Sequence, residues 1–336
     1  MLIRWRYFLH RLVRFEYWDM KVFYFPVAIY LLYLAAKARS LTFFAAANPA
    51  MRMGGVGYSK YAILSAIDSQ FVPPTLFFPV ATSASTVLAR LEQEQWQFPL
   101  IIKPDMGERG QGVERLINRQ ELEQYLQMFS GAFMLQKFLT LPIELGVFYH
   151  RFPINGKSAI TSITRKHFLT LEGTGKHTVA QLLEKSPRYV LQLERFRQKQ
   201  PDLLQKILPK GEQLRLEPIG NHCRGTIFLD ARQHISPEMV AVFDQIVQPM
   251  QGFYYGRFDL KTESFEALQR GQLQIMEVNG VASEAAHIYQ PGYSLRRAYS
   301  DVFQHISILN RIAHENKQLG FEYPSLKTFW QAFKKR

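Results

Sequence analysis

From Val22 to Ala36 the chain reads VFYFPVAIYLLYLAA, fifteen residues without a charge. That is short of the roughly 20 residues that cross a bilayer, and Pro26 interrupts it. Ahead of it, RWRYFLHRLVRFEYW interleaves arginine with bulky aromatics. From Ser59 the pattern changes to short periodic blocks. SKYAILSAIDSQFV predicts a helix that ends before Pro73 and Pro74, and Leu88 and Leu91 recur at helical spacing within a helix over 84–95. FPLIIKP (98–104) predicts an apolar strand ending in a lysine, and DMGERGQGVERL a glycine-rich turn into another strand. A helix follows over 121–129, then strands over 132–139, 146–152 and 158–164. Helix begins again at 177–183, 187–208 reads as polar and largely helical, and 237–250 as a helix. Two further apolar segments, around 257–259 and 277–279, are joined by a polar connection over 261–272. No internal repeat or low-complexity stretch interrupts the series.

The hydrophobic share of 47% and charged share of 21% are those of a globular protein, and 336 residues suffice for two or three subdomains with cores of their own. One cysteine, Cys223, leaves no intramolecular disulfide and fits a reducing, cytoplasmic compartment. The net charge of +13 points to an anionic partner. No aromatic RNA-binding motif, helix-turn-helix pattern or zinc finger accompanies it, so nucleic acid is not the expected one. The basic excess gathers at the ends. Residues 1–40 hold Arg4, Arg6, Arg11, Arg14, Lys21, Lys37 and Arg39 against Glu16 and Asp19, and the chain closes on KTFWQAFKKR. Three readings of residues 1–58 follow: a helix buried on the catalytic body, a membrane-interfacial anchor with peripheral contact through residues 1–40 at the inner face, or a spanning helix. FFAAANPA resembles a signal-peptide cleavage site, but Lys37 and Arg39 lie between it and the apolar run.

The chemistry gathers in GRFDLKTESFEALQRGQLQIMEVNGVASE (256–284). Arg257 and Asp259 stand two residues apart on one segment, Glu277 and Asn279 on the other. On strands, side chains at i and i+2 share a face, so two neighbouring strands would present an arginine, two carboxylates and an amide to one volume. Such hard oxygen ligands suit Mg²⁺. Upstream, Lys103 closes an apolar strand before Gly107, Gly110 and Gly112, a loop whose backbone N–H groups can approach phosphate oxygens. FMLQKFLTLPIE reads as a hinge in which backbone groups near Gln136, Lys137 and Leu139 could meet an adenine edge, with Glu144 downstream for ribose hydroxyls. Arg165, Lys166 and Lys176 surround a Gly-Thr-Gly turn, and NHCRGT (221–226) sets an amide, an imidazole and a guanidinium beside a glycine. His222 and Cys223, as sequence neighbours, would face opposite sides of a strand and make no catalytic pair.

The order of these parts resembles the ATP-grasp superfamily, and is most similar to its D-alanine–D-alanine ligase and cyanophycin-synthetase-like carboxylate–amine ligase branches, over roughly residues 59–298. The resemblance implies an α+β fold in which two α+β subdomains clasp ATP, here with an atypical helical and apolar N-terminal region (1–58), an ATP-grasp domain (59–301) and a basic-aromatic tail (302–336). It implies ATP and Mg²⁺ (or Mn²⁺) as cofactors. It also implies phosphate contacts from Lys60, Lys103, Gly110, Gly112 and either Arg165 or Lys176, and nucleoside contacts from Gln136, Lys137, Leu139 and Glu144. The metal ligands would be Asp259, Glu277 and Asn279, and Arg257 would stabilise the reacting acyl group. GTGKHTVAQL resembles a GDGxHTIxEL element of the cyanophycin branch with Thr174 in place of Asp, and Glu-x-Asn is followed by Gly-Val-Ala-Ser-Glu where the D-alanine ligases have a Pro-Gly turn. The implied activity is ATP-dependent joining of a carboxylate to an amine or thiol through an acyl-phosphate. The alternatives are an ATP-grasp enzyme working on a lipid-linked or cell-envelope acceptor at the membrane, and a non-catalytic nucleotide-binding module.

Overall fold

A computed structural model describes residues 14–55, 57–107, 110–186, 189–216 and 225–334. The fold is α+β, built around two antiparallel sheets. The first helix, α1 (Met20–Ala38), is capped by Asp19, whose carboxylate accepts from the Lys21 N–H, and ends at Arg39 in the left-handed conformation. It buries Phe23, Val27, Leu34 and Ala35. After 3₁₀ turns at Phe43–Ala47 and Arg52–Gly55 comes the short helix α2 (Lys60–Leu64).

A four-stranded sheet follows in the order β1-β4-β2-β3, from β1 (Thr75–Phe78), β2 (Leu100–Pro104), β3 (Glu114–Leu116) and β4 (Phe133–Lys137). Helices α3 (Ala84–Gln93) and α4 (Arg119–Met128) cover one face, where Val87, Leu91 and Leu122 pack on Leu100, Ile102 and Leu135. The five-stranded sheet runs β11-β10-β5-β6-β9, from β5 (Ile143–Arg151), β6 (Ser158–His167), β9 (Ile227–Asp230), β10 (Tyr255–Thr262) and β11 (Leu273–Asn279). Its apolar face carries the largest core, with Leu145, Val147, Phe258 and Ile275 against Phe243 and Ile246 of α8 (Pro237–Val247). Strands β7 (Thr170–Glu172) and β8 (Gln213–Arg215) pair over α5 (Val179–Glu184), α6 (Leu193–Lys199) and α7 (Pro201–Gln205), which share a satellite core. Helix α9 (Phe265–Gln269) lies inside the expected polar connection, and α10 (Leu295–Gln318) and α11 (Leu326–Lys334) complete the chain.

The structure revises several expected boundaries. The helix expected up to Pro73 stops at Leu64, and a 3₁₀ turn at Ser69–Phe71 follows before β1. Ile63, Leu64, Ile67 and Phe71 still reach the main core, so the helical spacing was real although the backbone changes form between them. Asn48, fully buried, ties the N-terminal region to β10. Its amide donates to the Tyr255 carbonyl at 2.6 Å, and its carbonyl accepts from the Tyr254 and Tyr255 N–H groups at 2.9 Å each. The basic-aromatic segment before residue 14 lies outside the described residues.

Candidate active site

Strand alternation assembles the polar face of the large sheet. Arg257 lies opposite Asn279 and Asp259 opposite Glu277 across β10 and β11, while Asp259 lies opposite Gly146 and Lys261 opposite Glu144 across β10 and β5. Arg257 grips Asp259 with two bonds, Nε to Oδ1 and Nη2 to Oδ2, both 3.0 Å, a bidentate pairing that fixes both planes. Its remaining nitrogen, Nη1, donates to the Glu284 carbonyl at 3.2 Å. The Asn279 amide donates to Asp259 Oδ2 at 3.2 Å. Gly146 makes room for this pair: a Cβ there would stand 3.1 Å from Asp259 Oδ1 and 3.2 Å from Arg257 Cδ.

Lys166 of β6 closes the network, 3.0 Å from Glu144 Oε1 and 3.8 Å from Asp259 Oδ1. Burial disfavours each charge here, but the pairing wins. Arg257 and Lys166 hold the Asp259 carboxyl below its usual range, and Asp259 with Glu144 holds the Lys166 ammonium above its own. Lys261 shows the opposite balance. Burial lowers its pKa despite Glu144, and its Nζ donates to the Leu139 carbonyl at 3.0 Å.

The small sheet supplies the facing wall. Lys103 points from β2 across the cleft and donates to the Met276 carbonyl at 3.2 Å. That carbonyl is accessible because the β10–β11 register shifts beside Asp259, so Met276 has no partner on β10. Desolvation in the cleft lowers the Lys103 pKa to about 8, with Glu277 pulling it upward and Lys60 adding to the fall. Lys60 stands at the first turn of α2, 3.6 Å from Glu277 Oε1. Asp105 sets its position: the carboxylate accepts from Ser59 Oγ and the Tyr61 N–H, both at 2.9 Å, and its carbonyl accepts from the Lys60 N–H. Two lysines from separate segments thus converge on one carboxylate.

The glycine loop joins β2 to β3. Gly107, Gly110 and Gly112 all have positive φ, and a Cβ at Gly112 would strike the Pro104 ring at 2.7 Å. Residues 108–109 of that loop lie outside the described residues, as do Asn221, His222, Cys223 and Arg224. Gln136 is buried, donating to Thr75 Oγ1 at 3.0 Å, and Lys137 extends over the Trp96 ring. The structure therefore brings together Lys60, Lys103, Glu144, Arg257, Asp259, Glu277 and Asn279. Arg165 and Lys176 are exposed and stand apart from this network. Lys166 and Lys261 take the positions facing Glu144. Their signal was parity with Thr164 and Asp259 on their own strands, which pattern alone left open.

The Gly-Val-Ala-Ser-Glu tail after Asn279 meets the N-terminal region. The Val281 N–H donates to the Gly54 carbonyl at 2.9 Å, and a Cβ on Gly280 would lie 2.2 Å from that same oxygen, so only glycine fits. Tyr289 of the following 3₁₀ turn donates to Glu284 Oε2 at 3.3 Å. Burial and the neighbouring Glu284 raise the Tyr24 phenol of α1 far above its usual range. The N-terminal segment is thus packed directly behind the loop that holds Arg257.

No family model and no curated protein matches the chain. Among solved structures, it is similar to a bifunctional glutathione synthetase from Pasteurella multocida, with 17% identity and a TM-score of 0.40 over 74% of this chain and 36% of that one. It is similar to the VanG D-Ala:D-Ser ligase from Enterococcus faecalis, with 10% identity and a TM-score of 0.43 over 79% and 62%. It is also similar to a D-alanine–D-alanine ligase from Bacillus anthracis, with 14% identity and a TM-score of 0.43 over 80% and 70%. The chain thus spans about a third of the first of these proteins and under two thirds of the second.

Proposed function

We propose that the chain is an ATP-grasp ligase, with residues 59–301 carrying the reaction, and that it joins a carboxylate to an amine through an acyl-phosphate in the cytoplasm. The observation that carries this reading is the meeting of Lys60 and Lys103 at Glu277, beside the Arg257–Asp259 pair and across from Glu144. A triphosphate needs cations where its charge lies, and two lysines offered from opposite walls of a cleft supply them. The backbone of Gly110 and Gly112 would lie over the same phosphates. The nucleoside would extend toward Leu139 and Gln136, with Glu144 accepting from ribose hydroxyls. Lys166, in place of Arg165 or Lys176, would be the cation contributed from the large sheet.

The donor set of Asp259, Glu277 and Asn279 consists of two carboxylates and an amide oxygen, all hard ligands, and fits Mg²⁺ (or Mn²⁺). When bound, the ion would neutralise phosphate oxygens and strengthen the terminal phosphorus as an electrophile. The substrate carboxylate attacks that phosphorus, the bond to ADP breaks, and an acyl-phosphate forms. The amine then adds to the acyl carbon, phosphate leaves with its electron pair, and a proton is released to solvent. Arg257 faces the acyl oxygen on which negative charge gathers, and the gain comes from its fixed orientation, set by Asp259 and the Glu284 carbonyl. Positioning and charge carry the mechanism, with no protein nucleophile. Purified chain should convert ATP to ADP only when a carboxylate and an amine are both supplied, and Glu277→Ala should stop it. Full turnover by Glu277→Ala, or AMP as the product, would sink this reading.

A further inference from the structure

Helix α1 is apolar all round, yet packs with only one side. Its inner side, Phe23, Val27 and Leu34, is buried against the surface around α10. Its outer side carries Val22, Phe25, Ile29, Leu32 and Tyr33, between 56% and 66% exposed, and no charge from Val22 to Ala36. At a rise of about 1.5 Å per residue the stripe is about 17 Å long. Soluble monomers rarely leave so long a run of large apolar side chains in water. The stripe also continues onto a second element. A hollow of about 490 Å³ joins Leu32, Ala36, Arg39 and Leu41 to Pro324 and Leu326, Phe44 meets Phe329 edge-on at 5.7 Å, and α11 presents Trp330 at 60% exposure. Two helices far apart in sequence therefore share one apolar surface.

The charges flanking that surface are mostly basic, with Asp19 and Glu322 just outside it. Lys21 stands at one end of α1, Lys37 and Arg39 at the other, and Lys327 at the start of α11. There is no acidic residue from Met20 to Arg39, nor from Tyr323 to Arg336. We propose that this surface docks the protein on an anionic lipid bilayer, with α1 and α11 lying in the interface. The apolar stripe would enter the acyl boundary, and the flanking lysines and Arg39 would meet lipid phosphates. Charge decides the occupant. A second copy meeting this surface about a two-fold axis would set Lys21, Lys37, Arg39 and Lys327 against the same cations, while the nearest carboxylates in sequence are already engaged, Asp19 with the Lys21 N–H and Glu322 with Lys317. The inner side of α1 is held by the protein, so the helix lies along the membrane and does not cross it. α1 also carries Tyr24 beside Glu284, so docking would bring the loop that holds Arg257 close to the lipid surface.

The test is flotation of the full chain with phosphatidylcholine vesicles, alone or with about one third phosphatidylglycerol. Partition onto the anionic vesicles should be at least tenfold stronger and should weaken as salt rises. The double variant Phe25→Asp/Leu32→Asp should lose it by at least tenfold while keeping its melting temperature. As a second reading on the unaltered stripe, brominated lipid should quench tryptophan emission, and Trp330→Phe should remove most of that quenching. Failure to float on either vesicle, flotation unchanged in the double variant, or a solution dimer that the double variant dissolves would each overturn the proposal. None of these outcomes depends on whether the cleft uses ATP.

Discussion

Raising the pH discharges Lys103 before any other lysine of an ordinary protein surface, because the cleft lowers its pKa from 10.5 to about 8. A lysine that must be charged to hold a phosphate then makes nucleotide affinity pH-dependent in a window where exposed lysines stay charged. The sign is fixed by which form binds. Below about pH 7 nearly all Lys103 is protonated and affinity is at its plateau; above the pKa each unit removes about tenfold of the competent form. Between pH 7 and 9.5 the dissociation constant for a non-hydrolysable ATP analogue should therefore rise about 30-fold, equivalent to about 2 kcal/mol. Titration calorimetry across that range reads it directly. Lys103→Arg is the control, since a guanidinium stays charged throughout. Its affinity will be lower because the fork cannot repeat the single bond to the Met276 carbonyl, but its profile should be flat. A flat profile in the unaltered protein, or the same slope in Lys103→Arg, would refute the assignment of Lys103 to phosphate.

Gly146→Ala places a methyl 3.1 Å from Asp259 Oδ1 and 3.2 Å from Arg257 Cδ. It should cut kcat by about tenfold, since one displaced charge-stabilising group costs at least that, with little change in the urea midpoint. Asn48→Ala leaves two backbone N–H groups and one carbonyl without their partner and should cost about 3 kcal/mol in urea unfolding. Acid should destabilise the fold through buried His150 and His305, whose pKa values burial lowers to about 4 and about 3. The unfolded chain takes up protons below about 6.5 and the fold does not, so stability is full above about pH 7 and falls toward pH 4. At pH 5 each histidine should cost about 2 kcal/mol, and His150→Gln should remove its share.

The Arg257-x-Asp259 and Glu277-x-Asn279 pairs were legible because a period of two survives wherever strands are regular, and β10 stays in register with β11 from Arg257 to Asp259. Lys166 was hidden by an irregularity. The β5–β6 register shifts beside Phe148 and skips Thr161, so Ile160 and Ile163, three residues apart, both face the main core. Parity read through the segment therefore conflicts with itself and leaves Arg165 and Lys166 indistinguishable. The long helix α10 was masked for a different reason. Its buried stripe of Ala298, Val302, His305, Leu309, Ile312 and Asn316 has helical spacing, but two of its members are polar. Asn316 is inside because its amide donates to the Ala46 carbonyl, a partner 270 residues away that no local pattern could supply. The apolar run of α1 had two faces in one composition, and only packing separates the buried face from the exposed one.

The most direct test of the ligase reading follows the oxygen of the substrate carboxylate. Amino acids, dipeptides and hydroxy acids that provoke ADP release should be supplied with ¹⁸O in the carboxylate, together with an amine acceptor, and the phosphate formed read by mass spectrometry. Passage through an acyl-phosphate predicts one ¹⁸O in each phosphate released, and loss of both ADP and labelled phosphate in Glu277→Ala. ADP release indifferent to carboxylate and amine, or phosphate carrying no label, would contradict the account.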